Sequence, residues 1–284
     1  MDKTLLSIGH GFSARALAAR LVPQGWRIVG TTRSADKADA IAATGVEPIV
    51  WPGADLGALI SEFPNVLVSA GPDSAGDPVL NAVEDAVTRA AVDLRWVGYL
   101  STTGVYGDHA GDWVDEDTPL TPSTKRGRAR VTAEARWQAI PDLPLHIFRL
   151  AGIYGPGRGP FAKVRAGTAR RIIKQGQVFS RIHVEDIAQA LELSLQRPDA
   201  GAVYNLCDDD PAPPQDVIAH AAELLGLPVP PAIPFEEADM TPMARSFYAE
   251  SKKVRNDRTK QALGWVPQYP TYRSGLAALI EQDG

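Results

Sequence analysis

The sequence predicts an α/β fold, a doubly wound parallel sheet with a smaller C-terminal lobe, on three observations. Short β-type runs alternate with helical patterns through the first two-thirds of the chain, as parallel strands joined by crossover helices do. A glycine-rich turn, Gly9-His10-Gly11-Phe12-Ser13-Ala14, lies between the first run and the first helix. Near residue 206 the alternation stops, and stretches such as Asp210-Pro211-Ala212-Pro213-Pro214 and Pro228-Val229-Pro230-Pro231 punctuate short helical patterns instead.

In chain order, strands are expected at Thr4 to Ile8, Arg27 to Thr31, Val46 to Trp51, Asn65 to Ala70, Arg95 to Ser101, Leu145 to Leu150 and Val203 to Leu206. Helices are expected at Phe12 to Leu21, Ala35 to Ala43, Asp55 to Glu62, Pro78 to Val92, Pro122 to Trp137 and Val184 to Leu195. Thr121, just before Pro122, is the natural cap of the fifth helix. Right-handed crossovers turn this series into a doubly wound sheet. Gly155-Pro156-Gly157-Arg158-Gly159-Pro160 marks a departure from the sheet and Arg181-Ile182-His183-Val184 the return. Residues 1–155 with 182–206 are therefore expected to form the sheet domain, and 156–181 with 207–284 the smaller lobe.

Composition narrows the class. Of 284 residues, 44% are hydrophobic and 22% charged, the balance of a soluble globular protein and not of a disordered, collagenous or membrane chain. With one cysteine, Cys207, no internal disulfide and no cysteine cage for a metal can form, which suits a reducing compartment. A net charge of −5 offers no global basic field to nucleic acid or an anionic membrane. The start, Met1-Asp2-Lys3-Thr4-Leu5-Leu6-Ser7-Ile8, lacks the basic region and apolar stretch of a secretion signal, so a cytoplasmic protein is expected. No metal site is expected: Asp108, Asp112, Asp115, Glu116 and Asp117 surround His109, but without a second nearby histidine they read as a solvated acidic loop.

The glycine turn is the strongest functional signal. Its G-x-G-x-x-A spacing between strand and helix is that of a dinucleotide-binding Rossmann turn. Gly9 permits the tight turn, Gly11 lets the backbone approach a pyrophosphate, and Ala14 lets helix and strand pack closely. Phe12 and Ser13 open the helix, whose N–H groups and positive dipole end face the phosphates. At the end of the second strand, where NAD-selective folds present a carboxylate, the chain reads Thr31-Thr32-Arg33-Ser34, with none until Asp36. Arg33 can fork onto a 2′-phosphate, with Thr32 and Ser34 as further donors, so NADP(H) is expected in preference to NAD(H).

Further segments are Ser101-Thr102-Thr103-Gly104-Val105-Tyr106-Gly107, Arg149-Leu150-Ala151-Gly152-Ile153-Tyr154-Gly155, Arg181-Ile182-His183-Val184-Glu185-Asp186 and Val203-Tyr204-Asn205-Leu206. On these the chain resembles, along nearly its whole length, the extended short-chain dehydrogenase/reductase superfamily, in its NAD-dependent epimerase/dehydratase group. The glycine turn, the Thr-Thr-Arg run, Ser251-Lys252-Lys253-Val254 and Leu263-Gly264-Trp265 look like its atypical YeeZ-like branch.

The resemblance implies a catalytic Ser or Thr, and a Tyr and Lys four residues apart on one helix. Thr102, four residues before Tyr106, matches the first. The Tyr and Lys are missing. Aligned on Ala133-Glu134, Arg126 stands in the tyrosine position and Arg130 in the lysine position; a competing register, Thr121 and Lys125, has the same spacing. In the arginine register both guanidiniums share a helical face. Arg126 can bind an anion or stabilise an oxyanion but cannot exchange a proton at ordinary pH, and Arg130 can reach ribose hydroxyls. Tyr106, Tyr154 and His109, each on a loop after a strand's C-terminal end, are the substitute proton donors. Ser69, Ala70 and Gly71 fall on the family position that lies along the cofactor.

Arg158, Lys163, Arg165, Arg170, Arg171, Lys174 and Arg181 form a basic stretch without an acidic residue, inside an acidic chain. It reads either as a basic face turned to solvent or as the place where an anion is met. On the second reading the substrate is a small anionic metabolite, phosphorylated or nucleotide-linked ones included, with Thr103, Tyr154, Arg158 and Arg181 as contacts. Two classes of function stay open: an NAD(P)-dependent oxidoreductase or epimerase/dehydratase, and a catalytically silent NADP(H)-binding sensor or regulatory protein. The family pairs through the helices expected at Pro78 to Val92 and Pro122 to Trp137, which leaves a homodimer open beside a monomer.

Overall fold

The computed structural model describes residues 2–283; residues 1 and 284, the outer ends of the two expected units, lie outside the described residues. The strands are β1 (Thr4–Ile8), β2 (Arg27–Thr32), β3 (Glu47–Val50), β4 (Asn65–Val68), β5 (Trp96–Thr102), β6 (Trp113–Val114), β7 (Leu145–Leu150), β8 (Gly152–Tyr154), β9 (Arg171–Ile173), β10 (Arg181–His183), β11 (Val203–Leu206), β12 (Ala232–Pro234) and β13 (Lys253–Val254). The helices are α1 (Phe12–Leu21), α2 (Ala38–Ala42), α3 (Leu56–Glu62), α4 (Pro78–Ala90), α5 (Lys125–Gln138), α6 (Phe161–Arg165), α7 (Val184–Gln196), α8 (Pro214–Leu224), α9 (Pro242–Phe247), α10 (Asp257–Leu263) and α11 (Tyr272–Asp283).

Seven strands form one parallel sheet in the order β11-β7-β5-β4-β1-β2-β3. This is the doubly wound fold expected from the alternation, and β1, α1, β7 and β11 match their expected bounds to the residue. The order reverses between β1 and β4, which opens a crevice beyond the C-terminal ends of those strands. Both faces of the sheet are covered, so the strands read as nearly continuous apolar runs. Leu5, Leu67, Trp96 and Phe148 pack on one side with α1 and α7; Leu6, Val66, Tyr99 and Ile147 pack on the other with α3, α4 and α5. Among the described residues no helix is long and apolar enough to cross a membrane.

A third core gathers Tyr154, Phe161, Val164, Val217, Ala221, Tyr272 and Leu276. Three short parallel ladders, β8–β10, β9–β12 and β6–β13, join segments far apart in the chain. At two or three residues each they are too short to leave a period in the sequence. The fifth helix departs from expectation at its start. It begins at Lys125, where Thr124 Oγ1 accepts the Gly127 N–H at 3.0 Å; Thr121 instead donates its hydroxyl to the Tyr106 carbonyl at 2.8 Å. Gly127, in the first turn, packs against the Gly104 carbonyl, where a Cβ would stand only 2.7 Å away.

Candidate functional site

β1 ends at Ile8 and the chain turns at Gly9 with φ of +80°, a conformation costly for any side chain. A Cβ there would stand 2.8 Å from the Ala70 backbone nitrogen. Gly9 N–H donates to Thr31 Oγ1 and His10 N–H to the Thr31 carbonyl, each at 2.8 Å, tying the turn to the end of β2. Gly11 caps α1 without any side-chain hydrogen bond, so the first-turn donors remain open to a ligand. His10 turns inward against Gly30, with Nδ1 3.0 Å from Ser7 Oγ; burial lowers its pKa to about 4 and keeps it neutral.

A cleft of about 790 Å³ runs from this turn into the third core. Gly9, Gly11, Phe12, Ser13 and Ser69 line its first end. Ser69 Oγ is buried there without a hydrogen-bond partner among the described residues. Ala70 packs under Gly9, and Gly71 leaves room for Arg130, whose Nη2 lies 2.8 Å from where a Cβ would be. Thr32, Arg33 and Ser34 stand outside the cleft, Thr32 at the end of β2 and the other two on the turn after it. Ser34 N–H donates to Thr32 Oγ1 at 3.3 Å, while Arg33 is exposed and has no partner among the described residues.

Helix α5 brings the next groups. Glu134, buried, pairs with Arg149 at 2.8 Å and accepts the Ser101 hydroxyl, which seats the helix on β5 and β7. Arg130 and Arg126 lie one and two turns earlier on the same face, and both line the cleft, whereas Thr121 and Lys125 do not. Arg130 lies over the Tyr99 ring and donates Nη1 to Tyr99 Oη at 3.0 Å and to the Leu100 carbonyl at 2.8 Å. Arg126 is exposed, its guanidinium 4.9 Å from the centre of the Phe247 ring. Thr102 Oγ1 accepts the Gly104 N–H at 3.2 Å, leaving its own proton to donate into the cleft, beside Thr103.

Tyr106 does not line the cleft. It is wholly buried, donating to Asn205 Oδ1 at 2.7 Å and accepting from Arg149 Nη1 at 3.0 Å, and burial pushes its pKa up to about 12. A proton donor to the cleft it cannot be; the Ser-Thr-Thr-Gly-Val-Tyr run turns through a 3₁₀ turn, Thr103–Val105, that points the phenol inward. His109 also lies off the cleft, with Nε2 3.1 Å from the Tyr106 carbonyl oxygen.

At the far end Tyr154 lines the cleft, its hydroxyl buried without a partner among the described residues. The hydroxyl fills the space where Gly275 lacks a side chain, and burial raises its pKa far above the usual phenol range. Nearby, Asp208 is buried with neither carboxyl oxygen within hydrogen-bond geometry of a partner among the described residues, and burial, outweighing the pull of Arg181 and nearby backbone N–H groups, raises its pKa to about 8. Arg181 donates Nη1 to the carbonyls of Phe179 at 2.9 Å and Ala212 at 3.0 Å. Arg158 lies over Phe12, 5.5 Å from the ring centre.

Other members of the basic stretch serve a purpose the sequence does not suggest. Arg170, Arg171 and Lys174 donate to the carbonyls of Asp239, Pro230 and Tyr248, holding residues 230–250 along the edge of the cleft. That segment delivers Phe247, Glu250 and, just beyond it, Lys252 to the lining. Lys252 Nζ donates to the Gly107 carbonyl at 2.6 Å and to Glu250 Oε2 at 2.9 Å; Glu250 Oε1 accepts the Ser123 hydroxyl at 2.6 Å.

The model of the NAD dependent epimerase/dehydratase family matches residues 79–207. Protein YeeZ of Escherichia coli (strain K12) is 33% identical over 241 residues, covering 80% of this chain and 86% of YeeZ. The chain belongs to the NAD dependent epimerase/dehydratase family. A functionally unknown conserved protein from Silicibacter pomeroyi DSS is 62% identical over 99% of both chains, with a TM-score of 0.94. The UDP-glucuronic acid 4-epimerase of Bacillus cereus, solved in complex with NAD, shares the fold: TM-score 0.77 at 18% identity, over 98% of this chain and 99% of that one. On α5 of this chain, Arg126 and Arg130 both line the cleft.

Proposed function

We propose that the cleft binds NADP(H) in preference to NAD(H), and that the protein is an oxidoreductase or epimerase/dehydratase acting on a small anionic molecule. What supports this most is the meeting, in one cleft, of the uncapped start of α1, the partnerless Ser69 hydroxyl and the Arg126–Arg130 face. The N–H groups of Phe12 and Ser13 would hold the pyrophosphate, Ser69 and Arg130 the nicotinamide ribose, and Arg33, which has no partner to leave, the 2′-phosphate. A bound nicotinamide supplies hydride donation and acceptance. Thr102, with its acceptor side occupied by Gly104, donates its proton to a substrate oxygen, and Arg126 places a fixed positive charge there. The lobe of residues 156–181 and 207–284 closes the substrate end, which Tyr154 of the sheet domain also lines, through Arg181 and Tyr272.

Arg126 in the tyrosine position favours a second reading, a binding protein without turnover, since a guanidinium does not exchange protons near neutral pH. Calorimetric titration with NADPH and with NADH is the first test. NADPH is expected to bind ten- to a hundredfold tighter, and Arg33→Ala to abolish that difference, corresponding to a charge-assisted bond of roughly 1.5–3 kcal/mol. Equal affinities overturn the NADP(H) preference; binding of neither overturns the dinucleotide reading. NADPH oxidation driven by any fraction of a metabolite extract excludes the silent protein.

A further inference from the structure

We infer that the second occupant of the cleft is a small carboxylic acid with a flat apolar body, docked on Arg126, and not a phosphorylated or nucleotide-linked molecule. The inference rests on the reading that a dinucleotide fills the first end. The state of each charged group decides it. Arg181 is engaged by two backbone carbonyls and lies against Tyr272, and Lys252 and Glu250 neutralise one another. Arg130 is held by Tyr99 and the Leu100 carbonyl, and Arg158 sits over Phe12 at the dinucleotide turn. Among the described cleft residues this leaves two cations with no hydrogen-bonded partner, Arg158 at the dinucleotide turn and Arg126 on the substrate side.

The walls agree with that count. Val178, Phe179, Val217, Phe247, Tyr272 and Leu276 are apolar or aromatic, and they line the same cleft. A diphosphate-linked sugar brings two phosphate charges, which would need several open cations, and hydroxyls that would lose water where they lie against these walls, away from Thr102, Thr103 and Thr124. A flat apolar body gains from the same burial. The Phe247 ring, 4.9 Å from the Arg126 guanidinium, takes none of its N–H donors, which can receive a carboxylate through two parallel hydrogen bonds.

The test is calorimetry on the protein saturated with NADPH, titrated in turn with benzoate, cinnamate, indole-3-acetate and UDP-glucose. At least one aryl carboxylate is expected to bind with Kd below about 1 mM, and UDP-glucose not to compete with it. Arg126→Gln is expected to weaken that binding at least tenfold while leaving NADPH affinity in place, and Phe247→Leu to weaken it by a smaller factor. Binding of UDP-glucose with none of the three acids, binding of nothing in the panel, or acid binding that survives Arg126→Gln overturns the carboxylate site while the dinucleotide reading stands. Failure of NADPH to bind overturns that reading instead; the same acid titrations without NADPH then decide the carboxylate site by their dependence on Arg126.

Discussion

The two ends of the cleft are built by different means. At the dinucleotide end, six consecutive residues from Gly9 to Ala14 supply the geometry, and most of it is backbone: a positive φ, an uncapped helix start, and a turn pressed against Ala70. At the substrate end, Arg126, Tyr154, Arg181 and Phe247 arrive from four separate segments and are placed by what lies beneath them. A site made of backbone is broken by one added atom on that backbone, whereas a site made of converging side chains is broken by removing its supports.

The largest effect is expected at such a support. Glu134→Ala leaves Arg149 charged in the interior, with Tyr106 Oη as its nearest remaining side-chain partner, and unseats the helix that carries Arg126 and Arg130. Urea unfolding should show a loss of roughly 3–5 kcal/mol. A loss under about 1 kcal/mol would mean that α5 is held by its apolar contacts, Ala133 and Trp137, and that the substrate end does not depend on the ion pair.

Gly9→Ala comes next and strikes the other end. A side chain there meets both the unfavourable positive φ and the Ala70 backbone, so dinucleotide affinity should fall roughly ten- to a hundredfold, about 1.4–3 kcal/mol. Gly264→Ala is the control: it shares a positive φ of +62° but faces open space, and should cost only about 1 kcal/mol of stability with no change in binding.

The same contrast explains what could be read in advance. Backbone-determined features were legible because glycine spacing and apolar runs are local: β1, α1 and the Gly9–Gly11 turn lie where the sequence puts them. That 126, 130 and 134 share one helical face was also legible, and the structure turns Arg126 and Arg130 to the cleft. What escaped notice depends on partners remote in the chain. Tyr106 looked available because nothing local says that Asn205 and Arg149 receive its hydroxyl. Arg170, Arg171 and Lys174 read as either a solvent-facing basic face or part of an anion site, because their carbonyl partners lie about 60–75 residues away. Phe247 gave no signal at all, and Lys252 only as part of a resemblance motif with no place in the site, both being delivered to the cleft by a segment with no sheet of its own beyond β12 and β13.

The smallest expected effect sharpens the comparison through pH, because each end buries a titratable group of opposite sign. At the dinucleotide end His10 is held neutral, its pKa lowered from 6.5 to about 4 by burial; the stability this neutral form contributes is present above pH 6.5 and is lost as pH falls toward 4. His146 and His183 act in the same direction over the same window. At the substrate end Asp208 is held protonated, its pKa raised from 3.8 to about 8, so its contribution is present below 3.8 and is lost as pH rises toward 8. Asp186, raised to about 6, and the histidines of the unfolded chain are still titrating near pH 6.5, so the Asp208 contribution is read between pH 6.5 and 8 as the difference from a variant that lacks the carboxyl. There the native state keeps an Asp208 proton that the unfolded chain has released, and the Asp208 contribution should fall by about 1.4 kcal/mol per pH unit. Asp208→Asn, which cannot ionise, should remove that slope, matching the wild type near pH 6.5 and exceeding it by roughly 2 kcal/mol at pH 8 in urea unfolding. A variant whose alkaline slope equals the wild type's would place the Asp208 carboxylate in contact with water or with Arg181, and the substrate end would then be a more polar chamber than its apolar walls indicate.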